Sequence, residues 1–520
     1  MASCRRSVAL VVSLLAILGV SIVPAASAKK PGGGGGGGGG GTSSSAAFVR
    51  TYSNLSGTTQ FSVTPEDVHT TSDGGYIALG TTQSATSGVG VSWLVKLAST
   101  GVPQWQRVLG CLSTPPGDYS DGVSIVQTSD GGYVVGGGTI GCGTGSDCPS
   151  TSGLTCALVE KVSATGAVMW ANVYAAGAVS SVINRVRETS DGGLIAAGTT
   201  TDANHNNAGL VLKLDGQGNV RWQRQIGPGS TTQQLLGDVQ QTSDGGYVVA
   251  GESEPPNATG QTLASVLVVK LDASGNVIWQ RSYNSLTGSG SPTASNNALS
   301  VIQASDGGYL IAGNWVNAPS PGECCSGALL LKLDSAGDIQ WQNSLSGGLY
   351  CFFNGFSETC ANLTAVAYTA HQTADGGYVL TGDETLKLTD STPLEPWIAK
   401  VDANGALLWQ HLYYQTNKTS GRPLSEYFAS SAATTDAGFF GLGFTENATS
   451  GDGELLTVKT DSAGNAGSSC GDEDPATALN ADDPALASTV TTLPVSAATT
   501  PVASSPATTT STSISSQSDC

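Results

Sequence analysis

Short apolar runs bounded by turn-forming residues recur along the chain, and residues 240–283 show the unit in full. Val and Leu fill two runs, 247–251 and Ser265–Leu271, and a third at 277–283 alternates apolar with polar positions. Runs of this length that end in Gly, Asp, Asn or Ser predict β-strands. Residues 238–242 supply one more strand. Ser243-Asp244-Gly245-Gly246 and residues 272–276 supply the hairpin turns, where glycine takes a positive φ without steric cost. No unit contains a convincing stretch of helical period.

The unit occurs seven times. Its Asp-Gly-Gly turn begins at Asp73, Asp130, Asp191, Asp244, Asp306 and Asp375, and a worn copy, Asp436-Ala437-Gly438, comes last, at intervals of 53 to 69 residues. A second anchor, D-x-x-G-x-x-x-W, reads Asp215/Gly218/Trp222, Asp272/Gly275/Trp279, Asp334/Gly337/Trp341 and Asp402/Gly405/Trp409. Trp105 and Trp170 keep the Gly and the Trp but have Ala98 and Ser163 in place of the Asp. Four strands per unit, in units too small to bury a face alone, predict a radial stack of antiparallel blades. The seventh unit ends at Asn465-Ala466-Gly467 without a fourth strand, while Phe48, Arg50 and Tyr52 repeat the alternation of Trp279, Arg281 and Tyr283. The expected fold is therefore all-β: a seven-bladed β-propeller of four-stranded blades over residues 47–469. Its N-terminal strand completes the last blade, closes the ring and removes the open edge.

Outside this region the pattern changes. Residues 1–28 read as a signal peptide, with Arg5 and Arg6 before an apolar run and Ala26-Ser27-Ala28 as the cleavage site. Residues 29–46 hold the glycine run 32–41 and read as a flexible linker. Residues 470–520 turn from a short acidic patch to Ser, Thr, Ala and Pro, the composition of a disordered tail or stalk. The formal net charge of −19, with only 12% charged residues, argues against nucleic acid as a partner. Together these features predict a secreted, extracellular or surface-associated protein, with the periplasm as a further compartment.

In a four-stranded meander the first and third turns lie at one end of the blade, and here both are short and repeated. The second loops and the blade connections lie at the other end and are long and irregular, which is where function is expected. Cysteines cluster towards that end: Cys111, Cys142, Cys148 and Cys156 in one group, and Cys324, Cys325, Cys351 and Cys360 in another. Cys470 and Cys520 remain. An even set of ten in an exported chain predicts disulfides, and each group of four allows three pairings.

The seven turn aspartates are matched by Lys96, Lys161, Lys213, Lys270, Lys332, Lys400 and Lys459, one at the end of each third strand. A pair repeated in every blade is expected to be structural, and the fourth-strand tryptophans are expected to fill the space between blades. His69, His205, His371 and His411 are scattered, with no zinc spacing, and no catalytic motif stands in a suitable context, so no metal or cofactor is expected. Trp315 and the Cys-bounded aromatics Tyr350, Phe352, Phe353 and Phe356 are the candidate ligand-binding residues, able to stack on sugars or anchor a protein. The competing expectation is a small satellite core beneath a long loop.

The T-S-D-G-G-Y…K-L-D-x-x-G-x-x-x-W repeat resembles that of exported prokaryotic propeller-repeat proteins over roughly residues 48–465. The K-L-D-x-x-G-x-x-x-W segments are also similar to the tryptophan-docking repeat of quinoprotein propellers, and that resemblance would make adjacent Cys324 and Cys325 a lid over a quinone. Those enzymes have eight blades, and two separate bridges to Cys351 and Cys360 are the simpler account. The functional expectation is a binding module for a glycan or cell-surface protein. The alternatives are an enzyme, either a quinoprotein-like oxidoreductase or a polysaccharide-active propeller, and a passive structural surface protein.

Overall fold

The computed structural model describes residues 47–466 and three short stretches beyond them, 480–482, 486–489 and 495–496. Within 47–466 the description omits 53, 57–58, 62, 84–89, 110–118, 141–154, 175–179, 228–232, 255–263, 286–294, 321–322, 347–348, 354–357, 387–393, 414–425 and 447–452. The signal and linker segments 1–46 and the candidates Cys111, Cys142, Cys148, Phe356, Cys470 and Cys520 lie outside the described residues.

Seven four-stranded antiparallel sheets form blades 1 to 7, at 63–109, 119–174, 180–226, 233–285, 295–346, 358–412 and 426–459, and Phe48–Tyr52 adds the outer strand of the seventh. The fold is a seven-bladed β-propeller. Phe48 lies opposite Lys459, Arg50 opposite Thr457 and Tyr52 opposite Leu455, the register in which Trp279, Arg281 and Tyr283 face Lys270, Val268 and Val266 in blade 4. The two ends of the repeat region thus share one sheet, and that sheet closes the ring.

Each turn is built the same way. Gly75 N–H donates to Asp73 Oδ1 at 3.0 Å, and Lys96 Nζ at the end of the third strand reaches Asp73 Oδ2 at 2.9 Å. The same Asp–Lys contact recurs in all six other blades, between 2.7 and 3.0 Å in blades 2 to 5. A side chain at Gly75 would place its Cβ 2.2 Å from Leu97 O, so the second glycine is dictated by close approach. In the worn seventh copy Ala437 keeps the positive φ, 63°, of the glycine it replaces.

Packing lies between blades, in seven apolar clusters with one at each interface. Fourth-strand tryptophans meet the aromatic residue after the next blade's Asp-Gly-Gly turn: Trp105–Tyr133, Trp222–Tyr247 and Trp279–Tyr309 have ring centroids 5.7 to 5.9 Å apart. The repeat also bolts blades together by hydrogen bonds. Tyr52, Tyr174 and Tyr283 donate through Oη to Gly101 O, Gly218 O and Gly337 O of the following blade, each at 2.6 Å. Buried, hydrogen-bonded tyrosines of this kind bury a ring and satisfy a turn carbonyl together.

Three short strands lie in the tail, where the sequence predicts no regular structure. Asn480–Asp482, Leu486–Thr489 and Val495–Ser496 add antiparallel to the outer strands of blades 5, 4 and 3. Ala481 faces Leu345, Ser488 faces Tyr283 and Val495 faces Ile226.

Candidate functional site in the central channel

The sequence reading begins the first strand of blade 4 at Asp238, but the strand runs over Gln233–Gln241 with its ladder shifted between Leu236 and Asp238. Every first strand has this bulge, which breaks the two-residue alternation and hides the strand's beginning from pattern reading. The residue just after the bulge is Asp67, Ser124, Arg185, Asp238, Ser300, Thr369 or Ser430 in blades 1 to 7. All seven are polar, and all differ from the repeated structural residues in varying from blade to blade.

These first strands line a cavity of about 630 Å³ on the propeller axis, in the half of the channel nearest the short Asp-Gly-Gly turns. Its wall includes Asp67, His69, Arg185, Arg187, Gln240 and His371, so residues far apart in sequence converge there. The cavity falls in the range of small-molecule sites, about 300–1,000 Å³. It is on the opposite side from the long loops.

Two buried carboxylates organise the wall. Asp67 accepts from Val68 N at 3.0 Å and Ser430 Oγ at 2.7 Å on one oxygen, and from Ile125 N at 3.0 Å and Arg185 Nη1 at 2.8 Å on the other. It joins blades 1, 2, 3 and 7. Asp238 accepts from Val239 N at 2.8 Å, from Val301 N at 2.9 Å, and on both oxygens from Arg187 Nη2 at 2.9 and 3.0 Å. Arg185 Nε stands 3.5 Å from the same carboxylate. Burial pushes the Asp67 carboxyl up, but the Arg185 charge with the Ser430 and Ile125 bonds holds it below its usual range. Burial likewise opposes the charge on Arg185, and Asp67 and Asp238 outweigh it and raise that group.

The guanidinium groups are less fully engaged than the carboxylates. The Nε of Arg185 and of Arg187 is buried without a hydrogen bond. The two histidines each turn one nitrogen to a backbone carbonyl, His69 Nδ1 to Thr70 O at 2.7 Å and His371 Nε2 to Ser431 O at 2.9 Å. These bonds fix neutral tautomers whose other nitrogens, His69 Nε2 and His371 Nδ1, are acceptors. Burial pushes His371 down to about 4 and lowers His69 as well, so His371 is neutral at ordinary pH. His69 is exposed and lines the channel cavity.

At the rim, Gln127, Glu188, Gln241, Gln303 and Gln372 each accept from the N–H of the turn serine in the preceding blade, at 2.6 to 2.8 Å. A second polar group lies at blades 1, 2, 6 and 7. Tyr368 Oη donates to Asp383 Oδ2 at 3.0 Å and Thr81 Oγ1 donates to Asp121. Burial, then the charges of Asp121 and Asp67, raise the Glu66 carboxyl well above its usual range, and burial pushes Asp383 up to about 7.

The candidates named from sequence fall elsewhere. Trp315 lies in the strand Tyr309–Ser320, opposite Gly327, and is half-buried against the apolar cluster between blades 4 and 5. Tyr350, Phe352 and Phe353 lie in the short strand Leu349–Phe353, which pairs with the start of Glu358–Gln372 and places Cys351 opposite Cys360. Cys324 and Cys325 lie in the strand Glu323–Leu333. Trp315 is not among the described residues that line the channel cavity. Aligning the seven copies on their turns would have exposed the column that does, because Asp67, Arg185 and Asp238 occupy one position of the repeat.

The sequence matches no protein-family profile and no curated protein. Among solved structures, the chain is similar to a protein of unknown function from Dyadobacter fermentans, at 10% identity over 77% of this chain and 94% of that one, with a TM-score of 0.38. It is similar to Sqt1 from Chaetomium thermophilum at 8% identity over 76% and 96%, TM-score 0.39, and to an ACO/RPE65 chimera at 12% over 77% and 93%, TM-score 0.39.

Proposed function

We propose that the protein is an exported binding module that presents the polar cavity on its axis to a ligand borne by a glycan or a cell-surface protein. The observation that carries this reading is where the repeat breaks its own symmetry. Turn aspartates, third-strand lysines and most interblade aromatics recur around the ring, as structural parts must. The channel positions vary around the ring: His69, Val126, Arg187, Gln240, Ile302, His371 and Ala432 follow the post-bulge residues two places on. A scaffold has no need of different side chains at one repeat position, whereas a ligand without sevenfold symmetry does.

Export is supported by the signal-like residues 1–28, and oxidising surroundings by the disulfide at Cys156 and the cross-strand facing of Cys351 and Cys360. A second surface is favoured by one observation. The strand Leu349–Phe353 extends blade 6 and carries Tyr350 and Phe352, residue types that contact a protein or a sugar ring. The test is a titration of the full exported chain against glycans and cell-surface fractions, with His69→Phe to fill the cavity and Tyr350→Ala/Phe352→Ala to strip the hairpin. Saturable binding abolished by His69→Phe supports the channel. Loss only in the double variant moves the site to the hairpin, and the absence of any saturable ligand overturns the binding reading.

A further inference from the structure

Resting on the binding-module reading, we infer that the channel cavity takes a small hydroxylated carboxylate, a sugar acid such as a uronic acid residue, with its carboxylate on Arg187 and Arg185 and its hydroxyls on His69 and His371. The donor and acceptor balance of the wall leads there. Asp67 and Asp238 are already saturated: backbone N–H groups from Val68, Ile125, Val239 and Val301, and the Ser430 hydroxyl, fill the lone pairs that the arginines leave. A ligand donor therefore finds no vacancy on either carboxylate.

The arginines are in the opposite condition. Arg187 bonds Asp238 through Nη2 alone, and Arg185 bonds Asp67 through Nη1 alone, so most of their N–H groups have no hydrogen-bonding partner among the described residues. Both line the cavity; the Nε of Arg187 is a buried donor without a hydrogen bond, and that of Arg185 has only the Asp238 carboxylate at 3.5 Å, beyond good hydrogen-bonding distance. A buried donor left without an acceptor costs about 1–3 kcal/mol, and a carboxylate on a guanidinium is the strong, often two-pronged way to satisfy it. The bound aspartates hold the two side chains in place before a ligand arrives, which lowers the ordering cost of binding.

The other half of the recognition is in the imidazoles. His69 Nε2 and His371 Nδ1 are acceptors in the tautomers that Thr70 O and Ser431 O select. Acceptors facing a cavity suit O–H groups and are of no use to a bare carboxylate. The charge of Arg187 acts on both rings and opposes their protonation, alongside burial, while Asp67 favours it. A ligand with one anionic end and several hydroxyls matches this wall; a simple anion or a neutral sugar matches half of it.

The experiment is isothermal titration of the full exported chain with D-glucuronate, D-galacturonate, D-glucose and acetate, and with tri-galacturonate to separate a free sugar acid from the end of an acidic glycan. The expected result is at least tenfold tighter binding of a uronate than of glucose or acetate. Arg187→Gln should erase the preference for the uronate over glucose, and His69→Ala should erase the preference over acetate. His69 bonds only its own neighbour's carbonyl, so this second variant remains informative if Arg187→Gln fails to fold. Glucose binding as tightly as glucuronate overturns the carboxylate assignment and leaves the binding module standing. Acetate binding as tightly overturns the hydroxyl half, and no binding by any of the acids overturns the inference while the glycan and cell-surface titration decides the wider reading separately.

Discussion

Ala437 is the one non-glycine residue in the first glycine position of the seven Asp-Gly-Gly turns, and it holds a φ of 63° where its counterparts lie between 72° and 83°. The turn keeps two of its side-chain contacts: Thr434 Oγ1 donates to Asp436, and Lys459 reaches the same carboxylate at 2.5 Å. The local bonds thus impose a left-handed conformation on a residue that disfavours it by about 1–2 kcal/mol. Glycine loses more backbone entropy on folding, which returns part of that gain. Ala437→Gly is therefore expected to stabilise the propeller by about 0.5–1 kcal/mol, measured as a shift in denaturation midpoint at unchanged slope. A destabilised variant would mean that the Ala437 methyl makes a contact worth more than the strain.

At the scale of the strand, the sequence displays what the repeat uses seven times and conceals what it uses once. Asp73 with Lys96, and Trp279 with the following Tyr309, are legible because their spacing recurs and their turn glycines mark the register. The first strands are poorly legible because the bulge before Asp67, Arg185 or Asp238 slips the alternation by one residue. Their function is hidden further because Arg185 meets Asp67 across 118 residues, a separation that no local pattern encodes. The outer strands hold another element that composition obscures. Ala481, Ser488 and Val495 recur every seven residues and face the equivalent positions Leu345, Tyr283 and Ile226, so successive blade edges are one heptad apart in the tail, a reach of at most about 25 Å. Truncation after residue 470 is expected to speed amide exchange in Val220–Ile226, Val277–Ser285 and Ile339–Ser346, with the fourth strand of blade 6 unaffected. Unchanged exchange in all three would show that the tail does not cover these edges in solution.

For the molecule as a whole, two opposed sets of carboxyl groups set the dependence of stability on pH. Hydrogen bonds from the turn threonines and lysines, against the pull of partial burial, hold Asp73, Asp130, Asp191 and Asp244 down at about 2. Their contribution is present above the unfolded value of 3.8 and is lost as pH falls towards 2. Burial pushes Glu160 and Asp383 up to about 7, and Glu252 and Glu384 up to about 8. These favour the fold fully below their unfolded values and lose that advantage as pH rises through 7 to 8. His371, driven down to about 4 by burial, acts the other way between 6.5 and 4, and His69, also lowered by burial, adds to it, two imidazoles against four acids. Maximum stability is accordingly expected near pH ~5, with a decline to pH 8. Glu160 isolates the effect. It is 2% exposed, its Oε2 has no hydrogen-bond partner, and the other blades place Val95, Leu212, Val269, Leu331, Ala399 and Val458 at its position. Raising one buried carboxyl from 4.5 to about 7 corresponds to about 3 kcal/mol lost between those pH values. Glu160→Val should therefore leave stability at pH 4.5 little changed, raise it by up to ~3 kcal/mol at pH 8, and flatten the decline between them. Calorimetric melting from pH 3 to 9 on both proteins decides it: a parent as stable at pH 8 as at pH 5, or a variant that declines as steeply as the parent, would show that Glu160 finds a compensating partner when it ionises.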